Sequence, residues 1–111
     1  MGICLQNVIK QANYNFNYTQ TYHGSYLISS NAYSWSHSQP QFNSYQNAFP
    51  FTEGDIIKIT MNTQLKELIF ENLKKGGKLK LDVIDPPYND RYVPCVNLCT
   101  AGDEVELIND L

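Results

Sequence analysis

The stretch "KLKLDV", residues 78–83, leaves little choice of secondary structure. Leu79, Leu81 and Val83 alternate with Lys78, Lys80 and Asp82, and a period of two marks a strand with one dry and one wet face. "GDIIKITMN", residues 54–62, repeats the pattern: Ile57, Ile59 and Met61 fall on one face, Lys58 and Thr60 on the other. Its β-branched residues suit a pleated surface. "YVPCVNL" and "DEVELI" follow as two further strands, parted by the turn signal "TAGD". Pro94 has no N–H to give a ladder, which places its strand at an edge or a bulge. With 111 residues the chain can form one modest core and is short for two, so residues 1–111 are read as a single domain.

One segment of this half supports two readings. In "NTQLKELIFENLKKGG", Leu65, Leu68, Ile69 and Leu73 recur at helical spacing, Asn62 stands where a cap would, and glycine follows the lysines. Read as strand, Leu68 and Phe70 share an inward face, and the Gly-Gly of "KKGGK" suits a primed hairpin turn. Local spacing leans to the helix, and the regularly spaced strands around it lean to the hairpin.

The first half is built differently. From Gln11 to Thr52 there is no Asp, Glu, Lys or Arg, and every acidic residue lies at or after Glu53. Asn, Gln, Tyr and Ser dominate, a composition found in disordered prion-like segments, and residues 39–47 fit that description best. "YHGSYLISS", however, sets Tyr22, Gly24, Tyr26 and Ile28 against His23, Ser25, Leu27 and Ser29, which reads as strand.

Composition narrows the partners. A net charge of −3 argues against nucleic acid, whose phosphates call for a basic face. No run of about 18 apolar residues is present, so no membrane span is expected. "MGICLQNVIK" has neither the charged start and apolar centre of a signal peptide nor the Ser or Thr of a myristoylation signal. Three cysteines, Cys4, Cys95 and Cys99, are an odd number, which together with the missing leader points to reduced thiols in the cytoplasm. Asn17-Tyr18-Thr19 is a glycosylation triplet that has meaning only in a secreted chain.

The order and spacing of short motifs resemble a SPRY domain. Gly54-Asp55 before a strand, the strand ending Leu68 to Phe70, Tyr92-Val93-Pro94 with Val96, and Val105 with Leu107 are similar to the closing part of that family's pattern. "GIC", residues 2–4, resembles the family's Gly-Val strand, and "HGSYLISSNAYSWSHS" the strand pair after it. The resemblance implies an all-β fold, an antiparallel β-sandwich of SPRY type, with residues 66–84 a hairpin. Such domains open with several strands ahead of the one that "GIC" resembles. The sandwich would therefore be incomplete at its N-terminus, with exposed edges and missing strands supplied by another segment or chain.

Four chemistries are open to these residue types. Serines 25, 29, 34, 36 and 38 accompany His23 and His37, yet no Gly-x-Ser-x-Gly elbow is present, and no acid lies between positions 11 and 52 to orient a histidine. No catalytic residue is therefore assigned. A metal site from Cys95, Cys99, His23 and His37 is disfavoured, because a strand sets the two cysteines roughly 13 Å apart at ~3.3 Å per residue; no metal and no cofactor are assigned. The lysines of "KKGGKLK" read as a solvated hairpin.

The fourth chemistry is a binding surface. Tyr22, Tyr33, Trp35, His37, Tyr45 and Tyr88 lie near expected turns, Tyr88 and Asn89 within the loop "DPPYND", and aromatic groups on loops anchor interfaces. A single Trp in a small sandwich is more often core, so Trp35 is expected inside, with Tyr33 or His37 near the rim. The candidate partner-binding set is Tyr22, Tyr33, Trp35, His37, Tyr88 and Asn89. Through the resemblance, the expectation is a non-enzymatic protein–protein interaction module. It would bind a protein or peptide ligand through loops at one end of the sandwich, recruiting targets for a larger ubiquitin-ligase or signalling protein. A carbohydrate-binding β-sandwich is the alternative.

Overall fold

Three consecutive strands form the simplest part of the molecule. β4 (Ile57–Asn62), β5 (Glu67–Asn72) and β6 (Lys78–Asp82) pair antiparallel in chain order. Their alternation is as expected: Leu68, Phe70, Leu79, Leu81 and Val83 are buried, while Lys58, Thr60, Lys78 and Lys80 are exposed. The computed structural model describes residues 1–15, 17–98 and 101–108.

The helix-like signal in this region has a physical origin. Asn62 Oδ1 accepts the N–H groups of Gln64 and Leu65 at 3.1 and 3.0 Å, and Asn72 Oδ1 accepts those of Lys74 and Lys75, both at 3.1 Å. Each asparagine caps one turn, as it would start a helix, and each turn then reverses at a residue of positive φ, Lys66 (55°) and Gly76 (80°). The second reversal spans residues 73–77 and is not a two-residue primed turn. At Gly77 an added Cβ would lie 2.7 Å from Phe49 Cγ, so only glycine lets that turn close on the core.

The second sheet is less regular in sequence. It consists of β1 (Gly2–Leu5), β2 (Ser25–Ile28), β3 (Ser34–Ser36) and β7 (Tyr92–Cys95), in the order β3-β2-β1-β7, all antiparallel. Pro94 stands in β7, an edge strand, as its missing donor requires. Tyr26 and Ile28, with Ile3, meet Phe49 and the buried side chains of the three-stranded sheet in one core. Hydrophobic burial between two antiparallel sheets is thus what holds the molecule together. The fold is all-β and sandwich-like, with one short helix among the described residues, α1 (Gln6–Gln11), and a 3₁₀ turn at Pro40–Phe42.

Several sequence expectations are corrected. Trp35 is not in the core: it lies opposite Leu27, on the face of the sheet turned away from Tyr26 and Ile28, and is half-buried. His37 is buried, not at the rim. Residues 103–108, "DEVELI", form no strand and are exposed. Residues 39–47 are held rather than loose: Ser34 Oγ donates to Phe42 O at 2.7 Å, and Ser36 Oγ accepts the Gln39 N–H at 2.9 Å. No described helix is long and apolar enough to cross a membrane.

Candidate functional site

The strand directions gather the chemistry-bearing loops. The last residue of β1, the first of β2, the last of β3 and the first of β7 lie at the same end of the larger sheet, as their registers require. The Lys66 turn and the end of β6 reach that end too, since Val83 N donates to Lys66 O and Gln39 bonds Asp82 twice, at 3.2 and 3.0 Å. One end of the sandwich therefore carries α1, a strap over residues 17–24, the loop 37–43 and the segment 83–91.

Gly24 fixes the strap against α1. Its φ is +92°, and an added Cβ would sit 2.7 Å from Val8 Cγ1. The strap is then tied down through two imidazoles. His37 Nδ1 accepts the Gly24 N–H at 2.8 Å, and His23 Nδ1 accepts the Ser25 N–H at 3.1 Å. With Nδ1 accepting, the proton of the neutral ring sits on Nε2. His23 Nε2 accordingly donates to Asn43 Oδ1 at 2.8 Å. Asn43, itself buried, also accepts the Ser36 N–H at 3.2 Å and donates from Nδ2 to Tyr18 O at 3.0 Å. Burial pushes both imidazoles below the ordinary histidine value. At His37 the nearby His23 lowers it further, while the Asn43 bond works the other way at His23.

Above this buried layer Tyr22 stands out. Its φ is +65°, a region costly for a bulky side chain. The Tyr22 N–H donates to His37 O at 2.7 Å, its ring meets the His37 ring edge-on at 5.2 Å, and it remains 71% exposed. Tyr22 forms one wall of an open hollow of about 520 Å³, with Thr19, Gln20 and Thr21 beside it and Pro40, Asn43 and Tyr45 opposite. Among the described residues, no charged side chain lines this hollow. A smaller one, about 180 Å³, lies between the strap and α1, lined by Val8, Ala12 and His23 among others.

The other sequence candidates divide. Tyr88 is 93% exposed, and Asn89 has a φ of +64°. Their loop is pinned to α1: Asn89 O accepts from Asn7 Nδ2, Asp90 Oδ1 accepts the Asn7 N–H at 2.9 Å, and Arg91 Nε donates to Gln6 Oε1 at 2.8 Å. Tyr22, His37, Tyr88 and Asn89 thus share one end of the molecule. Tyr33 and Trp35 do not; their rings stack with centroids 6.2 Å apart on the outer face of the sheet, where Tyr18 meets Trp35 edge-on at 6.0 Å. Cys4 and Cys95 are on β1 and β7, Cys99 lies outside the described residues, and no group of three or more possible metal ligands is gathered among the described residues.

Two residues outside the predicted set complete the site. Asn43 organises it, and Tyr18 links the hollow to the outer aromatic row through its carbonyl and its ring. Both come from the Asn- and Tyr-rich half, where a strongly biased composition hides the individual residue that matters.

No protein-family model matches the chain, and no significant match is found among curated proteins or solved structures.

Proposed function

We propose that the chain is a non-enzymatic, SPRY-like interaction module that holds a short segment of a partner protein at the end formed by the strap, the 37–43 loop and the Tyr88 loop. The observation that carries this reading is the uncharged hollow between Tyr22 and Tyr45, with exposed rings on its flanks and hydrogen-bonding groups at its base. Rigid aromatic walls bury area at small entropy cost, and amides and hydroxyls orient a polar backbone. The imidazoles fit a structural role better than a catalytic one, because Nδ1 of each is committed to a backbone amide. Target recruitment for a larger ubiquitin-ligase or signalling protein is the setting proposed, in the cytoplasm, with Cys4 and Cys95 as thiols in their resting form. Any strands added by another segment or chain would join at the open edges of the two sheets.

The same uncharged lining also favours a second reading, carbohydrate binding, in which the Tyr22 and Tyr45 rings stack on sugar faces. A peptide-display selection run beside a glycan array separates the two. A selected peptide that loses at least tenfold in affinity, about 1.4 kcal/mol, on Tyr22→Ala with Tyr45→Ala supports the peptide site, provided the melting midpoint is unchanged. Glycan binding alone replaces it with the second reading. No ligand from either library removes both.

A further inference from the structure

On the outer face of the larger sheet, β1 and the edge strand β7 bring two thiols together. Gly2 pairs with Cys95 and Cys4 with Val93. Directly opposed residues share a face, and so do residues two apart along a strand. Cys4 and Cys95 are therefore diagonal neighbours on the outer face of the four-stranded sheet. Gly2, directly opposite Cys95, places no side chain between them. Both are free thiols in this structure, and a diagonal pair has Cα atoms roughly 7–8 Å apart, so closing a bond between them draws the two strands slightly together. Cys4 is buried and Cys95 half-exposed.

We propose that Cys4 and Cys95 form a reversible disulfide that staples the edge strand β7 to β1, with a low-molecular-weight disulfide such as oxidised glutathione as the oxidant. Cys95, the accessible member, reacts first. Its thiolate attacks one glutathione sulfur, an S–S bond forms, and one glutathione thiolate leaves. Cys4 then gives up its proton and attacks the Cys95 sulfur. The protein disulfide forms and the second glutathione leaves as thiol. Two protein thiols are oxidised and one glutathione disulfide is reduced to two thiols. The second step is the slow one. Burial pushes the Cys4 thiol up to about 12, and neighbouring Cys95 and the Asp90 carboxylate add to the rise. Exchange therefore waits on transient opening of the strand pair.

The staple closes a loop spanning most of the chain, and long closed loops gain the most from such a bond. Pro94 beside it withholds one ladder donor, so β7 is the strand with most to gain.

The test uses the full chain with Cys99→Ser, which leaves only this pair. After incubation with oxidised glutathione, intact mass and peptide mapping should show loss of two hydrogens and a Cys4–Cys95 linkage within one chain. The melting midpoint should rise by about 5 °C or more over the reduced sample, and dithiothreitol should reverse both changes. Cys4→Ser in the same background should stop at a glutathione adduct on Cys95. A stable Cys95 adduct with Cys4 still reduced, covalent dimers instead of the internal bond, or a bond that lowers the midpoint would each overturn the proposal.

Discussion

At Tyr26 one buried hydroxyl joins three parts of the chain. Its oxygen lies 2.7 Å from Ser38 Oγ and accepts the Ile84 N–H at 3.3 Å, while Tyr92 Oη donates to Ile84 O at 2.7 Å. Tyr26→Phe keeps the ring and strands these groups, so urea denaturation should show a loss of about 1–2 kcal/mol. The histidine pair makes a different prediction. Both imidazoles titrate below 6.5 in the fold, so as pH falls through that value the unfolded chain takes up protons that the folded one does not. Stability is therefore full above about pH 7.5 and declines as pH drops below 6.5. The melting midpoint should fall by several degrees between pH 7.5 and 5.5, and His37→Gln should flatten that slope. Over this window Asp55, held low by the Thr52 N–H, Asn72 and Lys75, stays ionised and contributes no slope.

Elements were legible where their two faces differ. β4, β5 and β6 have one wet face, so Ile57, Leu79 and Leu81 show a period of two. In β1 and β2 every residue is buried, on both faces of the sheet, and alternation then carries no polarity signal. Trp35 is expected in the core because a single Trp in a small sandwich usually is, whereas it lies beside Leu27 on the outer face. α1 has six residues and no side-chain cap, too short for a periodic pattern to show. The helical reading of 63–75 fails at β5, Glu67–Asn72, and only its capping signal is real, because asparagine caps a single turn as well as a long helix. Asn72 is buried and its Nδ2 also donates to Asp55 at 3.1 Å, whereas Asn62 serves its turn near the surface. Asn72→Ala should therefore cost about 2 kcal/mol and Asn62→Ala about 1 kcal/mol or less, read from chemical denaturation midpoints. Of the candidate site, the residue types were legible, and Tyr22 and Tyr88 were found on the expected loops. The threefold engagement of Asn43 with His23, Ser36 and Tyr18, by contrast, depends on contacts that no local pattern encodes.

For the whole molecule, the larger sheet depends on its last strand. Ending the chain at Asp90 removes β7, strips β1 of one partner along its full length and deletes the Tyr92 hydroxyl. Circular dichroism should then show loss of the single cooperative melt, with dye binding to newly exposed apolar surface. β1 lies in the middle of its sheet yet is the first of the described strands, and its neighbour β7 is the last of them. A ribosome making this protein would release the first strand long before the neighbour that completes it. The β4-β5-β6 meander, whose pairings are local, has every contact it needs while synthesis is still under way. Joining β1 to β7 must wait until the whole stretch between them has been made, which makes that pairing a later and slower event than closing the meander.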